Sequence, residues 1–101
     1  MADSMRLDRF LWFARLSKTR PSAQQLAADG HLRIDGRAVD RAHHAVRPGN
    51  ILTFAQGSAI RVIRIEALPL RRGPAPEARA CYIDLVPGPG TANVSQERAQ
   101  D

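Results

Sequence analysis

The sequence predicts a small α+β domain: two N-terminal helices packed on a small, mostly antiparallel sheet, then a short C-terminal element and a flexible tail. Three observations point there. Leu7, Phe10, Leu11 and Ala14 fall at i, i+3, i+4 and i+7, a spacing that gathers apolar side chains on one helical face. Asp35-Gly36 stands between Leu32-Arg33-Ile34 and Arg37-Ala38-Val39, and this dipeptide suits a two-residue hairpin turn. Ile51-Leu52-Thr53-Phe54 and Ile60 to Ile65 read as two more strands, joined by a loop around Gly57. A chain of 101 residues fits one domain with a modest core.

The first helix starts near Leu7, with Ser4 as its expected N-cap and Asp8 placed to favour the helix dipole. Ser17 to Arg20 is a short connection. The second helix follows, with Thr19 as its cap and Pro21 in the first turn, where no intrahelical donor is lost. Ala23, Leu26 and Ala27 form a narrow apolar face that permits close approach to the first helix. Gly30 ends it. After the hairpin, Pro48-Gly49-Asn50 marks another turn. In Ile60–Ile65, Arg61 and Arg64 break strict alternation, which leaves the strand's exposed face open; solvation of a strand face is the plainer role for both. Arg71-Arg72-Gly73-Pro74-Ala75-Pro76 is a basic, then proline-rich, connection. Glu77 to Leu85 fits a short helix or a last strand. The Pro87-Gly88-Pro89-Gly90 stretch and the polar residues after it read as disordered.

Charge is distributed unevenly. The chain has 15 basic and 10 acidic residues, net +5, and every basic residue except Lys18 is arginine. Residues 1–72 carry a net +7 and residues 73–101 a net −2. Arginine's planar fork of donors fits phosphate, so the asymmetry points to a polyanionic partner. One cysteine, Cys81, excludes an internal disulfide framework and a multi-cysteine metal site. His43-His44 lacks acidic or cysteine partners at ligand spacing, so no metal or other cofactor is expected. No apolar run approaches the ~20 residues of a membrane span, and Met1 to Arg6 does not read as a signal peptide. The expectation is a soluble cytoplasmic protein with no membrane or small-molecule partner. No nucleophile–base pair or phosphate-cradling glycine loop is visible, so the expected role is not enzymatic.

The cations cluster where chemistry is possible. Arg6, Arg9, Arg15, Lys18 and Arg20 lie in residues 6–20 against Asp8 alone, and the hairpin adds His31, Arg33 and Arg37. The second helix offers Ser22 and Gln25 on its polar side, and a positive N-terminal end suited to phosphate. Phosphate contacts of this kind give affinity and position rather than base readout.

The run Arg6-Leu7-Asp8-Arg9-Phe10-Leu11-Trp12, then Lys18-Thr19-Arg20, Ala23 to Leu26, Gly30 to Gly36, and Pro48-Gly49-Asn50 together resemble the S4 RNA-binding domain, the αL motif. Leu11 to Arg15 and Arg71 to Ala78, followed by Tyr82, resemble the ribosome-associated heat-shock protein 15 family. The likeness covers residues 5–83. It implies an S4-type domain over 5–70, a family-like extension over 71–85 and a flexible tail over 86–101. It also implies binding to ribosomal RNA of the large subunit, with tRNA on stalled subunits as a further contact, in recycling or rescue of those subunits. By position, the RNA surface is Arg6, Arg9, Lys18, Arg20, Ser22, Gln25, His31, Arg33 and Arg37. Asp35 departs from the asparagine usual in the family, and the tail is shorter and more acidic than usual. A generic RNA binder or RNA chaperone is the alternative.

Several residues have plainer roles in prospect. Trp12 is expected to be packed at least in part rather than to serve as a base-stacking platform. Phe10 and Phe13 are expected in the core, and Cys81 as a small packing residue. Asp8 is expected to start the helix or orient a neighbouring arginine. Arg71 and Arg72 either solvate a loop or make a second RNA contact. The small core and charged surface predict a monomer.

Overall fold

A computed structural model describes residues 3–86. The elements in chain order are β1 (Met5–Arg6), α1 (Leu7–Phe13), α2 (Arg20–Ala28), β2 (Leu32–Ile34), β3 (Arg37–Val39), β4 (Ala45–Val46), β5 (Ile51–Gln56), β6 (Ala59–Ile65), α3 (Ala75–Arg79) and β7 (Tyr82–Val86). Five strands form an antiparallel sheet in the order β3-β2-β5-β6-β7, and β1 pairs with β4 in a separate two-stranded ribbon. This is the expected α+β architecture. The segment read as a helix or a strand contains both, α3 and then β7. The tail expected after Val86 lies outside the described residues.

The start of α1 corrects one expectation. Ser4 does not cap it. Arg6 is the N-cap and makes no side-chain cap bond. The first helical donors find other acceptors: Leu7 N–H donates to His44 O at 2.8 Å, Asp8 N–H to Ala42 O at 3.0 Å, and Arg9 N–H to the Asp8 carboxylate at 2.8 Å. The loop leading into β4 therefore does what a capping side chain would do. The two-residue strands β1 and β4 follow from this docking, and no periodic pattern marks them.

α1 ends at once after two turns. Arg15 adopts a left-handed conformation (φ 61°), Leu16 N–H donates to Leu11 O at 2.9 Å, and Arg15 N–H donates to Trp12 O at 3.1 Å. This is a Schellman ending with arginine where glycine is usual. α2 begins as expected: Thr19 Oγ1 accepts from Ser22 N–H at 3.1 Å, Ser22 Oγ returns toward Thr19 N–H, and Pro21 sits in the first turn. Ala23 and Ala27 are fully buried against α1, as their small size allows.

Leu7, Phe10 and Leu11 from α1, with Ala14 at its C-cap, meet Leu32, Ile34, Leu52, Phe54, Ile63 and Ile65 from the inner sheet face in one core. The turn of the β2–β3 hairpin is left-handed at both Asp35 (φ 51°) and Gly36 (φ 87°), the conformation a two-residue turn of this type requires. The Asp35 carboxylate accepts from Asn50 Nδ2 and Ile51 N–H, each at 2.8 Å. It thereby clamps the hairpin turn to the start of β5, so its charge is used within the fold. Phe13 is half-buried rather than fully in the core.

Arg61 does more than solvate a strand face. It shares the inward parity of Ile63 and Ile65, and its side chain is 13% exposed. It pairs with Asp84 at 2.5 Å, donates to Gln56 Oε1 at 3.2 Å and lies over the Tyr82 ring at 5.6 Å. It closes the end of the inner layer and fastens β7 to β6. Arg64 stays exposed and pairs with Glu66 at 2.7 Å.

Candidate nucleic-acid interface

The short α1 and the start of α2 form the walls of a groove of about 280 Å³ bordered by Arg6, Asp8, Arg9, Trp12, Phe13, Arg20 and Gln24. Asp8 is its buried anchor. Both its oxygens accept from the Arg6 guanidinium, at 3.0 and 2.9 Å, and one also accepts from Arg9 N–H. The hydrogen bond to Asp8 raises Arg6 further above its ordinary pKa, so its charge is fixed. Arg9 is exposed and has no carboxylate partner among the described residues. Arg20, the first residue of α2, lays its guanidinium over the Trp12 ring at 5.3 Å. Trp12 is half-buried, as expected of a packed residue, and its ring is engaged by arginine.

The expected site residues do not all come together. Arg6, Arg9 and Arg20 share the groove. Lys18 is exposed in the α1–α2 connection. Ser22 is committed to the Thr19 cap, and its N–H is taken by Thr19 Oγ1, so the free features at the start of α2 are its dipole and Arg20 rather than that amide. Gln25 is exposed on α2, but Gln24 borders the groove; the i, i+4 spacing from Arg20 is the signal that could have found it. His31 is exposed and sits 3.7 Å from Asp29. Arg33 is exposed on β2 and donates to Gly36 O at 3.1 Å. Arg37 borders a second hollow with His44 and Arg47, over Ile34 and Val39. Arg6, Arg9 and Arg20 thus border one hollow and Arg37 another, with no bordering residue shared, while Lys18, His31 and Arg33 border neither.

Arg71 and Arg72, each expected to solvate a loop or to contact RNA, take different places in the structure. Arg71 makes a two-pronged pair with Glu77 at 3.1 and 2.8 Å and remains exposed. Arg72 lies over the Trp12 ring at 5.2 Å and donates to Trp12 O and, at 3.4 Å, to Ser17 O. Fifty-five to sixty residues separate these partners, so no local pattern could show the contact. Among the described residues no three histidine, cysteine, aspartate or glutamate side chains gather as metal ligands, and no helix is long and apolar enough to cross a membrane.

Comparison with known proteins places this geometry. The S4 domain family model matches residues 5–52. Heat shock protein 15 of Escherichia coli K12 is 33% identical over 81 residues, which is 80% of this chain and 60% of that protein. The small ribosomal subunit protein uS4 of Kosmotoga olearia is 34% identical over 67 residues, which is 66% of this chain and 32% of that protein. The chain thus spans about three fifths of the first relative and a third of the second. Among solved structures, Vibrio cholerae heat shock protein 15, described as trimeric, matches with a TM-score of 0.74 and 33% identity over 80% of this chain and 81% of that one. The chain belongs to the heat shock protein 15 family of S4-domain proteins.

Proposed function

We propose that this chain is a non-catalytic, cytoplasmic RNA-binding protein that engages ribosomal RNA of the large subunit, and that it acts in recycling or rescue of stalled subunits still holding a nascent chain on tRNA. The observation that carries the RNA reading is the groove itself: Arg9 and Arg20 stand in it without carboxylate partners among the described residues, beside an aromatic ring and the positive end of α2. Arg6, Lys18, His31, Arg33 and Arg37 extend the basic surface, with Ser22 and Gln25 as polar contacts. A ribosomal target is supported by the relatives, one a ribosomal protein by name and the others heat shock protein 15. We propose action as a monomer, in contrast to the solved relative described as trimeric.

Equilibrium binding to large subunits, bulk tRNA and single-stranded RNA at physiological salt tests this. Large subunits should bind tightest, with a log–log salt slope of about −3 to −5 for some five neutralised phosphates. The Arg9→Ala/Arg20→Ala pair should reduce the magnitude of that slope by about 2, at roughly 0.9 per phosphate lost, while the chain still folds. Equal binding to all three RNAs would instead support a generic RNA binder or chaperone.

A further inference from the structure

We propose that Arg72 is a positioning residue for the RNA groove, setting Trp12 and through it Arg20, and is not itself a phosphate contact. This rests on the RNA reading of that groove. Arg72 lies in the 71–85 extension, beyond the segment the S4 model matches, and is absent from the groove's border. Its guanidinium is already engaged there: its Cζ lies over the Trp12 ring, and Nη1 donates to Trp12 O and Ser17 O. Those carbonyls stand at and just beyond the C-terminal end of α1, where a cation is favoured.

The contact is returned from the other side. Arg15, held left-handed by the Schellman ending, donates Nε to Gly73 O at 2.6 Å. Two arginines therefore cross between the α1–α2 connection and residues 72–73, one in each direction. Trp12 is the ring shared by Arg72 and Arg20, at 5.2 and 5.3 Å. A ring held by Arg72 gives Arg20 a fixed surface to lie on, which lowers the ordering cost when RNA arrives. Lysine could supply the charge but not the planar stacking or the fork of donors.

A double-mutant cycle on the full chain tests this, reading RNA affinity and its salt slope, with emission from Trp12, the sole tryptophan, as a report on the ring. Arg72→Ala should weaken RNA binding about tenfold, and Arg72→Lys by a similar factor, since couplings between residues in contact are of this order. Both should shift Trp12 emission in the free protein. In the Arg20→Ala background, adding Arg72→Ala should change affinity by less than about twofold and leave the salt slope unaltered. Arg71→Ala, which removes the neighbouring charge, should leave affinity within about twofold of wild type. Wild-type affinity in Arg72→Lys would overturn the proposal. So would an additive loss in the double variant with the slope falling in magnitude by a further 0.9 or so, because that is the mark of a direct phosphate contact. If Arg72→Ala does not fold, Arg72→Lys alone and in the Arg20→Ala background decides the matter. Failure of the wild-type chain to bind RNA would overturn the reading of the groove, whereas intact wild-type binding with additive variants would overturn this proposal alone.

Discussion

Asp8→Asn removes a carboxylate that receives three donors, two from Arg6 and one from the Arg9 backbone, in a position almost closed to solvent. The neutral amide has one acceptor oxygen and an NH2 group facing cations. We expect a loss of about 1–3 kcal/mol in urea unfolding, the range for a broken charge-assisted bond with a buried partner. Glu77 makes a separate prediction at this scale. The Arg71 guanidinium bonded to it holds its carboxyl below the ordinary carboxylate range. The stabilisation from that pair is therefore complete above the unfolded carboxyl's pKa and is lost as pH falls through the lowered folded value. Urea midpoints measured against pH should show this acid-side loss in wild type and less of it in Glu77→Gln. Cys81 behaves oppositely: burial, aided by the charge of Glu77, pushes its thiol up. Its alkylation at neutral pH should be slower than that of a free thiol and should accelerate only above the usual thiol range of about pH 8.5.

Elements in this fold were readable where a local pattern encodes them. The four-residue apolar spacing fixes the inner face of α1, Thr19 and Pro21 mark the start of α2, and Asp35-Gly36 makes its hairpin. Two-residue strands have no period to read, so β1 and β4 left no trace, and the loop carbonyls that replace a cap for α1 are invisible in sequence. The place of Arg61 was not legible for a related reason: its inward parity was present, but the Asp84 that lets a cation sit there lies 23 residues away. Substitutions at two positions probe this scale. Thr19→Ala should cost about 1 kcal/mol through loss of the α2 cap. Arg15→Ala should cost roughly 1 kcal/mol through loss of the bond to Gly73 O, while Arg15→Gly should regain part of that by relieving the left-handed backbone, which costs a side-chain-bearing residue about 1–2 kcal/mol. Thermal unfolding of the three variants measures each difference.

At the scale of the whole molecule, positive charge gathers in residues 1–72, and the groove bordered by Arg6, Arg9 and Arg20 lies open at the surface. The basic surface is legible in that charge, but which of its arginines share a hollow is not, because side-chain spacing along the chain says nothing of which arginines share a concavity. A monomer predicts a solution mass of 11.1 kDa by light scattering. A multiple of that mass would direct attention to the outer sheet face, where Ile60, Ile83 and Leu85 are 56%, 43% and 41% exposed. The most direct test of the central claim is co-sedimentation of the tagged chain from lysate on a sucrose gradient, with Arg9→Ala/Arg20→Ala alongside. The account predicts that wild type travels with large subunits and the double variant stays at the top. Wild type remaining at the top, or spreading over every RNA-containing fraction, would contradict it.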